Sequence, residues 1–91
     1  MKNKYIHRLS LIALIGPVCA LPEDGMRINK IVEVILNQGF SVQLDFHGVK
    51  LVTPSFYAAV TEGLYSVFPE SEKERPISII NLPESFPQRR P

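Results

Sequence analysis

Thr53-Pro54-Ser55 places a hydroxyl beside a residue that caps helices and a residue that starts them. Threonine suits the N-cap and proline the first helical position, so Ser55 is expected in the opening turn of a helix. Unpaired backbone N–H groups and a partial positive charge gather there. Upstream, Asp45 lies near the end of an alternating segment and is followed by Phe46 and then His47-Gly48, which break the pattern. A carboxylate at this point can anchor the next loop by accepting backbone N–H bonds, contact a partner, or act as a base.

The other reactive side chains converge less. His7 and His47 have no ligand-like spacing to Cys19 or to a carboxylate, so a metal site is not expected. Cys19 is the one cysteine. It has no partner for an internal disulfide and reads as a small buried apolar side chain in a reducing compartment. Glu23-Asp24 is a paired acidic site, but dipole complementarity at a helix start accounts for it. There is no Gly-rich phosphate loop and no Gly-x-Ser-x-Gly elbow. No enzymatic activity and no cofactor are expected.

These residues need a frame, and 91 residues allow one domain with a modest core. Apolar residues make up 45% and charged residues 21%, a globular balance. The net charge of +1 makes neither nucleic acid nor an anionic membrane an expected partner. Lys2, Lys4 and Arg8 lie at one end and Arg89 and Arg90 at the other, as solvated termini would.

Along the chain, Arg8 to Ile15 reads as a buried first strand. Leu21-Pro22-Glu23-Asp24-Gly25 marks a turn and a helix start. Ile28, Ile31, Val32, Ile35 and Leu36 then recur at helical spacing, with Arg27, Lys30, Glu33 and Asn37 opposite, and Gly39 is a natural stop. Ser41 to Phe46 alternates as a strand, with Val42, Leu44 and Phe46 on one side. Val49 to Val52 is a second short apolar patch. A second amphipathic helix is expected from Pro54 to about Phe68, with Gly63 letting it lie close to a neighbour. Pro69 to Arg75 reads as a charged loop, Ile77 to Leu82 as a last strand, and 83–91 as an irregular proline-rich tail. There is no internal sequence repeat. The order strand, helix, strand, helix, strand favours a small α/β fold: a mixed or parallel sheet covered by two amphipathic helices.

Leu44-Asp45-Phe46-His47-Gly48-Val49, followed by Val52-Thr53-Pro54-Ser55-Phe56, resembles the STAS-like family of bacterial domains (the DUF4325 type). Asp24-Gly25 before the first helix and Gly63-Leu64-Tyr65 after the second are similar to that family's pattern too. The resemblance spans about residues 9 to 82, and it implies a single domain over 1–82. More distantly, the arrangement is similar to STAS domains of anti-sigma factor antagonists. In those, a serine at a helix start is phosphorylated by a partner kinase of the GHKL-type ATPase fold, which abolishes binding. Ser55 is the residue here that falls on that serine. Thr53-Pro54 stands where those proteins have Asp-Ser, and Phe56 where they have glycine.

The resemblance thus implies a cytoplasmic, non-catalytic regulatory module. It would meet a protein partner through Asp45, His47, Gly48, Thr53, Pro54 and Ser55, and could form a homodimer. Two other readings stand beside it. Lys2, Lys4 and Arg8 before the apolar run to Leu21 fit a secretory leader cleaved after Ala20. The short C-terminal part fits a subunit that completes another chain's sheet.

Overall fold

The computed structural model describes residues 5–63 and 77–86. The expected charged loop 69–75, the later part of the second helix and the termini with Lys2, Lys4, Arg89 and Arg90 lie outside them, as do Leu64 and Tyr65 of the family-like motif.

Three parallel strands form the main sheet: β1 (Ile6–Ser10), β3 (Ser41–Asp45) and β5 (Ile77–Ile80), in the order β1-β3-β5. His7 pairs with Val42 and Leu9 with Leu44. On the other side Val42 pairs with Ile77 and Leu44 with Ile79. Strand alternation therefore stacks the apolar residues on one face. The opposite face carries Arg8, Gln43 and Ser78, and Arg8 Nε donates to Gln43 Oε1 at 2.8 Å. Both crossovers step the same way across the sheet. Right-handed connections then put both helices on one face, and α2 (Pro22–Asn37) and α3 (Pro54–Thr61) do pack against each other. Ile28, Val32 and Leu36 from α2, Phe56 and Val60 from α3, and Val42, Leu44 and Phe46 from around β3 form the core. This is the small α/β fold expected.

Several elements differ from the sequence-based expectation. The run from Arg8 to Ile15 is not one strand. β1 ends at Ser10, which caps a one-turn helix α1 (Leu11–Leu14) by accepting from Ala13 N at 3.3 Å. Leu11 is buried at once, while Ile12 and Leu14 are exposed. A serine ready to cap, followed by good helix formers, overrode the apolar run. A second sheet was also not foreseen. β2 (Val18–Cys19) and β4 (Leu51–Val52) form a two-residue parallel ladder, with Cys19 and Val52 buried and Val18 and Leu51 outward. Runs so short carry no periodicity to read.

The helix termini follow local chemistry. α2 closes through Gly39 at φ +91°, with Gly39 N donating to Leu36 O and Phe40 N to Ile35 O, the paired bonds of a Schellman stop. Ile31, expected to face inward, is 38% exposed. α3 runs Pro54–Thr61 with Glu62 at its C-cap, and the expected stretch from 64 to about Phe68 lies outside the described residues. At Gly63, where a close approach was expected, no described atom lies within 4 Å of where its Cβ would be. Among the described residues it is Gly25 that makes such an approach. A Cβ on it would stand 2.6 Å from Phe56 O and 2.8 Å from Ala59 Cβ, so α2 and α3 touch backbone to backbone.

β5 stops at Ile80, short of Leu82. Asn81 turns the chain with φ +62°. Phe86, assigned above to an irregular tail, packs on Tyr57 with ring centroids 4.9 Å apart.

Candidate functional site

The strands of a parallel sheet all end on the same side, and here that side holds every candidate residue. Asp45 ends β3. Its Oδ1 accepts from His47 N at 2.9 Å and from Asn81 Nδ2 at 2.9 Å. The carboxylate thus ties the end of β3 to the residue after β5 and to the turn that follows. Those bonds hold the Asp45 carboxyl below the usual range, Asn81 first and the His47 backbone second. A carboxylate so engaged is a poor general base.

The turn runs from Phe46 to Val49, with Val49 N donating to Phe46 O at 2.9 Å. Gly48 sits at its third position with φ +88°. The conformation is what calls for glycine, since it excludes most side chains; a Cβ would also come within 2.8 Å of Ile12 Cδ1, which would have to shift. His47 and Gly48 are exposed at the apex, while Phe46 and Val49 anchor the turn in the core.

Lys50 and Leu51 then donate to Pro17 O at 2.8 and 3.2 Å, which sets the β2–β4 ladder. The ladder delivers two helices side by side. β2 runs through Ala20 and Leu21 into α2, and β4 runs through Thr53 into α3. Thr53 joins the two starts. Its N–H donates to Cys19 O at 3.0 Å, and its hydroxyl donates to Ala20 O at 2.8 Å while accepting from Phe56 N at 3.1 Å. Thr53 is therefore the cap of α3, with its hydrogen-bonding capacity committed to structure. Pro54 takes the first helical position. Ser55 follows, exposed and not the capping residue. Phe56 is fully buried and pins the helix to the core.

The six candidate residues thus fall into two hydrogen-bonded groups joined by β4. Asp45, His47 and Gly48 make the turn; Thr53, Pro54 and Ser55 make the helix start. Asp45 and Thr53 position the others. His47, Gly48, Pro54 and Ser55 are exposed. Exposed apolar side chains border them: Val18 and Leu51 on the outer face of the ladder, and Leu21 at the cap of α2. Sequence reasoning missed these three: the outward direction of Val18 and Leu51 follows from the second sheet, and that of Leu21 from its place at the α2 cap. It also missed Asn81, whose signal was an asparagine next to a strand end, a residue type that tolerates positive φ.

Strand order β1-β3-β5 contains no reversal, so the described strands form no switch-point crevice of the kind that holds ligands in open α/β sheets. An open depression of about 390 Å³ lies elsewhere, at the start of β1, lined by Tyr5, Ile6, His7 and Phe40. Among the described residues no three His, Cys, Asp or Glu side chains come together as a metal site would require. No described helix is long and apolar enough to cross a membrane. Cys19 is buried, and burial, then the Asp24 carboxylate, push its thiol up. The candidate residues thus present an exposed turn and an exposed helix start.

A family model for a STAS-like domain of unknown function (DUF4325) matches residues 24–85. It begins in the first turn of α2 and takes in Asp24-Gly25, the turn after Asp45, the start of α3 and β5. It leaves out β1, α1 and β2, so it is shorter at the front than the resemblance drawn from the motifs. No curated protein and no solved structure matches the chain.

Proposed function

The chain belongs to the STAS-like DUF4325 family, and from that premise we propose that it is a non-catalytic regulatory module that docks a protein partner through the surface around Ser55. One observation carries this reading. Thr53 and Pro54 do the structural work of starting α3, so the exposed Ser55 hydroxyl beside them is not spent on the cap. The surrounding surface has the composition of an interface. Val18, Leu51 and Leu21 supply exposed apolar area, and His47 and Lys50 supply a polar margin.

The partner is an ATPase-fold kinase of the GHKL type, which phosphorylates Ser55 and is released by the product. The chemistry is a transfer of the γ-phosphoryl group of ATP to the Ser55 oxygen, with ADP and the hydroxyl proton leaving. The phosphate then brings nearly two negative charges into a surface that must desolvate to stay docked. Cytoplasmic location goes with this reading, since kinase and ATP are there. A cleaved leader does not suit it: cleavage after Ala20 would remove β1, α1 and β2, and with them half of each sheet pairing that sets the site.

Native co-purification tests the proposal. Tagged wild-type and Ser55→Ala chains should both retain an ATPase-fold partner, and Ser55→Asp should retain at least about tenfold less, a difference of roughly 1.4 kcal/mol. The wild-type chain should also yield a Ser55 phosphopeptide when incubated with that partner and ATP. Equal retention of the three chains, with no phosphate on Ser55, would refute it.

A further inference from the structure

Among the described residues β1 is an edge strand of the main sheet, and the chemistry around its far side selects a partner of its own. Ser41 N donates to Tyr5 O at 3.1 Å, and Phe46 N donates to Ile80 O at 3.0 Å. These two bonds fix the alternation. Tyr5, His7 and Leu9 direct their main-chain groups toward β3, and Ile6 and Arg8 direct theirs outward. Among the described residues no strand lies on that side. Edge strands are usually protected by proline, a bulge or charged side chains. β1 (Ile6–Ser10) has no proline. Its one charged residue, Arg8, is held across the sheet by Gln43.

The edge is also apolar at its beginning. Tyr5 is 68% and Ile6 64% exposed, the highest values among the large hydrophobic side chains described. They line the 390 Å³ depression with His7 and Phe40. The Tyr5 and His7 rings lie 6.0 and 4.9 Å from that of Phe40, which gives the depression a firm aromatic floor. Open main-chain groups next to a side-chain pocket are what strand addition uses: backbone bonds supply affinity and the pocket supplies selectivity.

Charge decides the occupant. β1 carries one cation, Arg8, and no acid, and no acidic residue precedes Glu23 in the sequence. A second copy paired along β1 would bring another Arg8 and no acid to meet the first, whereas opposite charges across strands are favourable. We propose that the free edge of β1 accepts an extended segment of another protein, one that carries an apolar residue for the Tyr5–Phe40 depression and acidic residues along its length. This site is separate from Ser55 and stands whether or not that serine is a switch.

Short synthetic peptides of alternating valine and threonine are the probes, one flanked by glutamates and one by lysines. Titrated into the full chain and followed by NMR, the glutamate peptide should bind about tenfold more tightly than the lysine peptide, and less so as salt is raised. It should slow exchange of the Ile6 and Arg8 amide protons and leave the Ser55 amide unshifted. Ile6→Pro removes an outward N–H without touching a β1–β3 bond, so it should abolish binding. Ile6→Lys serves as the second variant and should weaken binding, with circular dichroism confirming that both variants fold. Equal affinity for the two peptides, shifts away from β1, or self-association of the chain through β1 would each overturn the proposal.

Discussion

Replacing Asn29 tests the packing that fixes α3. Asn29 is 7% exposed and the only polar or charged residue buried among those described. Its Nδ2 donates to Val60 O at 2.7 Å and to Glu62 O at 2.9 Å. Helix ends leave their last carbonyls without intrahelical partners. Here Thr61 Oγ1 turns back to Tyr57 O and Ala58 O, and Asn29 reaches over from α2 to serve Val60 and Glu62. In Asn29→Ala the Glu62 carbonyl, on an exposed residue, regains water. The Val60 carbonyl belongs to a residue only 1% exposed and loses its Asn29 donor. One lost hydrogen bond of about 1 kcal/mol and a desolvated acceptor at about 1–3 kcal/mol act against a helix-propensity gain of about 0.6 kcal/mol. The net loss is about 2 kcal/mol. With an m-value near 1 kcal/mol/M for a chain this small, the urea midpoint should fall by about 2 M. Asn29→Asp should be worse at neutral pH, since a carboxylate would face two carbonyl oxygens. Its carboxyl would be raised in the folded state, so its penalty grows as pH rises above the unfolded value and fades in acid. A midpoint shift below about 0.5 M for Asn29→Ala, or an Asn29→Asp variant no less stable at pH 7 than at pH 4, would refute this account of the α2–α3 contact.

Gly25→Val should destabilise by about 2–3 kcal/mol in the same urea assay, because the helices must separate against Phe56 and Ala59. Gly63→Ala, which meets no described atom, should cost only the strain of its φ of +78°, about 1 kcal/mol. Thr53→Ala removes the α3 cap and the bond to Ala20 O, and should lower stability by about 1–2 kcal/mol while Thr53→Ser retains most of it. Asp45 has a folded carboxyl held below its unfolded value, so its contribution is present above the unfolded value and lost as pH falls through the folded one. The stability gap between wild type and Asp45→Ala, measured by urea titration, should therefore be open at pH 6 and close toward pH 2.

How much of this could be read in advance depended on whether the cause was local. α2 and β3 were legible because each repeats its apolar residues over several periods and ends on a chemically distinct residue, Gly39 or Asp45. The start of α3 was legible because Thr53-Pro54 has one obvious use. What failed to show was set by contacts between distant segments. β2 and β4 are strands because Pro17 O and Cys19 O find donors more than thirty residues away. Gly25 looked like a turn glycine and is a close-approach glycine, which only the position of Phe56 reveals. Asn29 sits between Ile28 and Lys30 with nothing in the sequence to mark it as a cap for another helix. Gly63 was assigned the contact that Gly25 makes, since glycine in an apolar stripe has the same appearance in both cases.

The two halves of the described chain perform the same move, although no sequence repeat announces it. β1, a tight one-turn connection, β2 and α2 are followed by β3, a tight turn, β4 and α3, and the elements pair in parallel: β1 with β3, β2 with β4, α2 against α3. Pro22 and Pro54 open the two helices, so Glu23 and Ser55 hold the same helical position. At that position α2 carries a permanent carboxylate, followed by Asp24, which suits the positive end of its dipole. The first turn of α3 carries no acid. Ser55 is thus the neutral member of a pair whose counterpart is already charged. A phosphate there would be tolerated by the helix it sits on, for the same dipole reason that Glu23 is tolerated on α2. It would also turn an end that bears two carboxylates into one bearing nearly twice that negative charge. The helix start would therefore accept a phosphate on Ser55 with little strain to the fold.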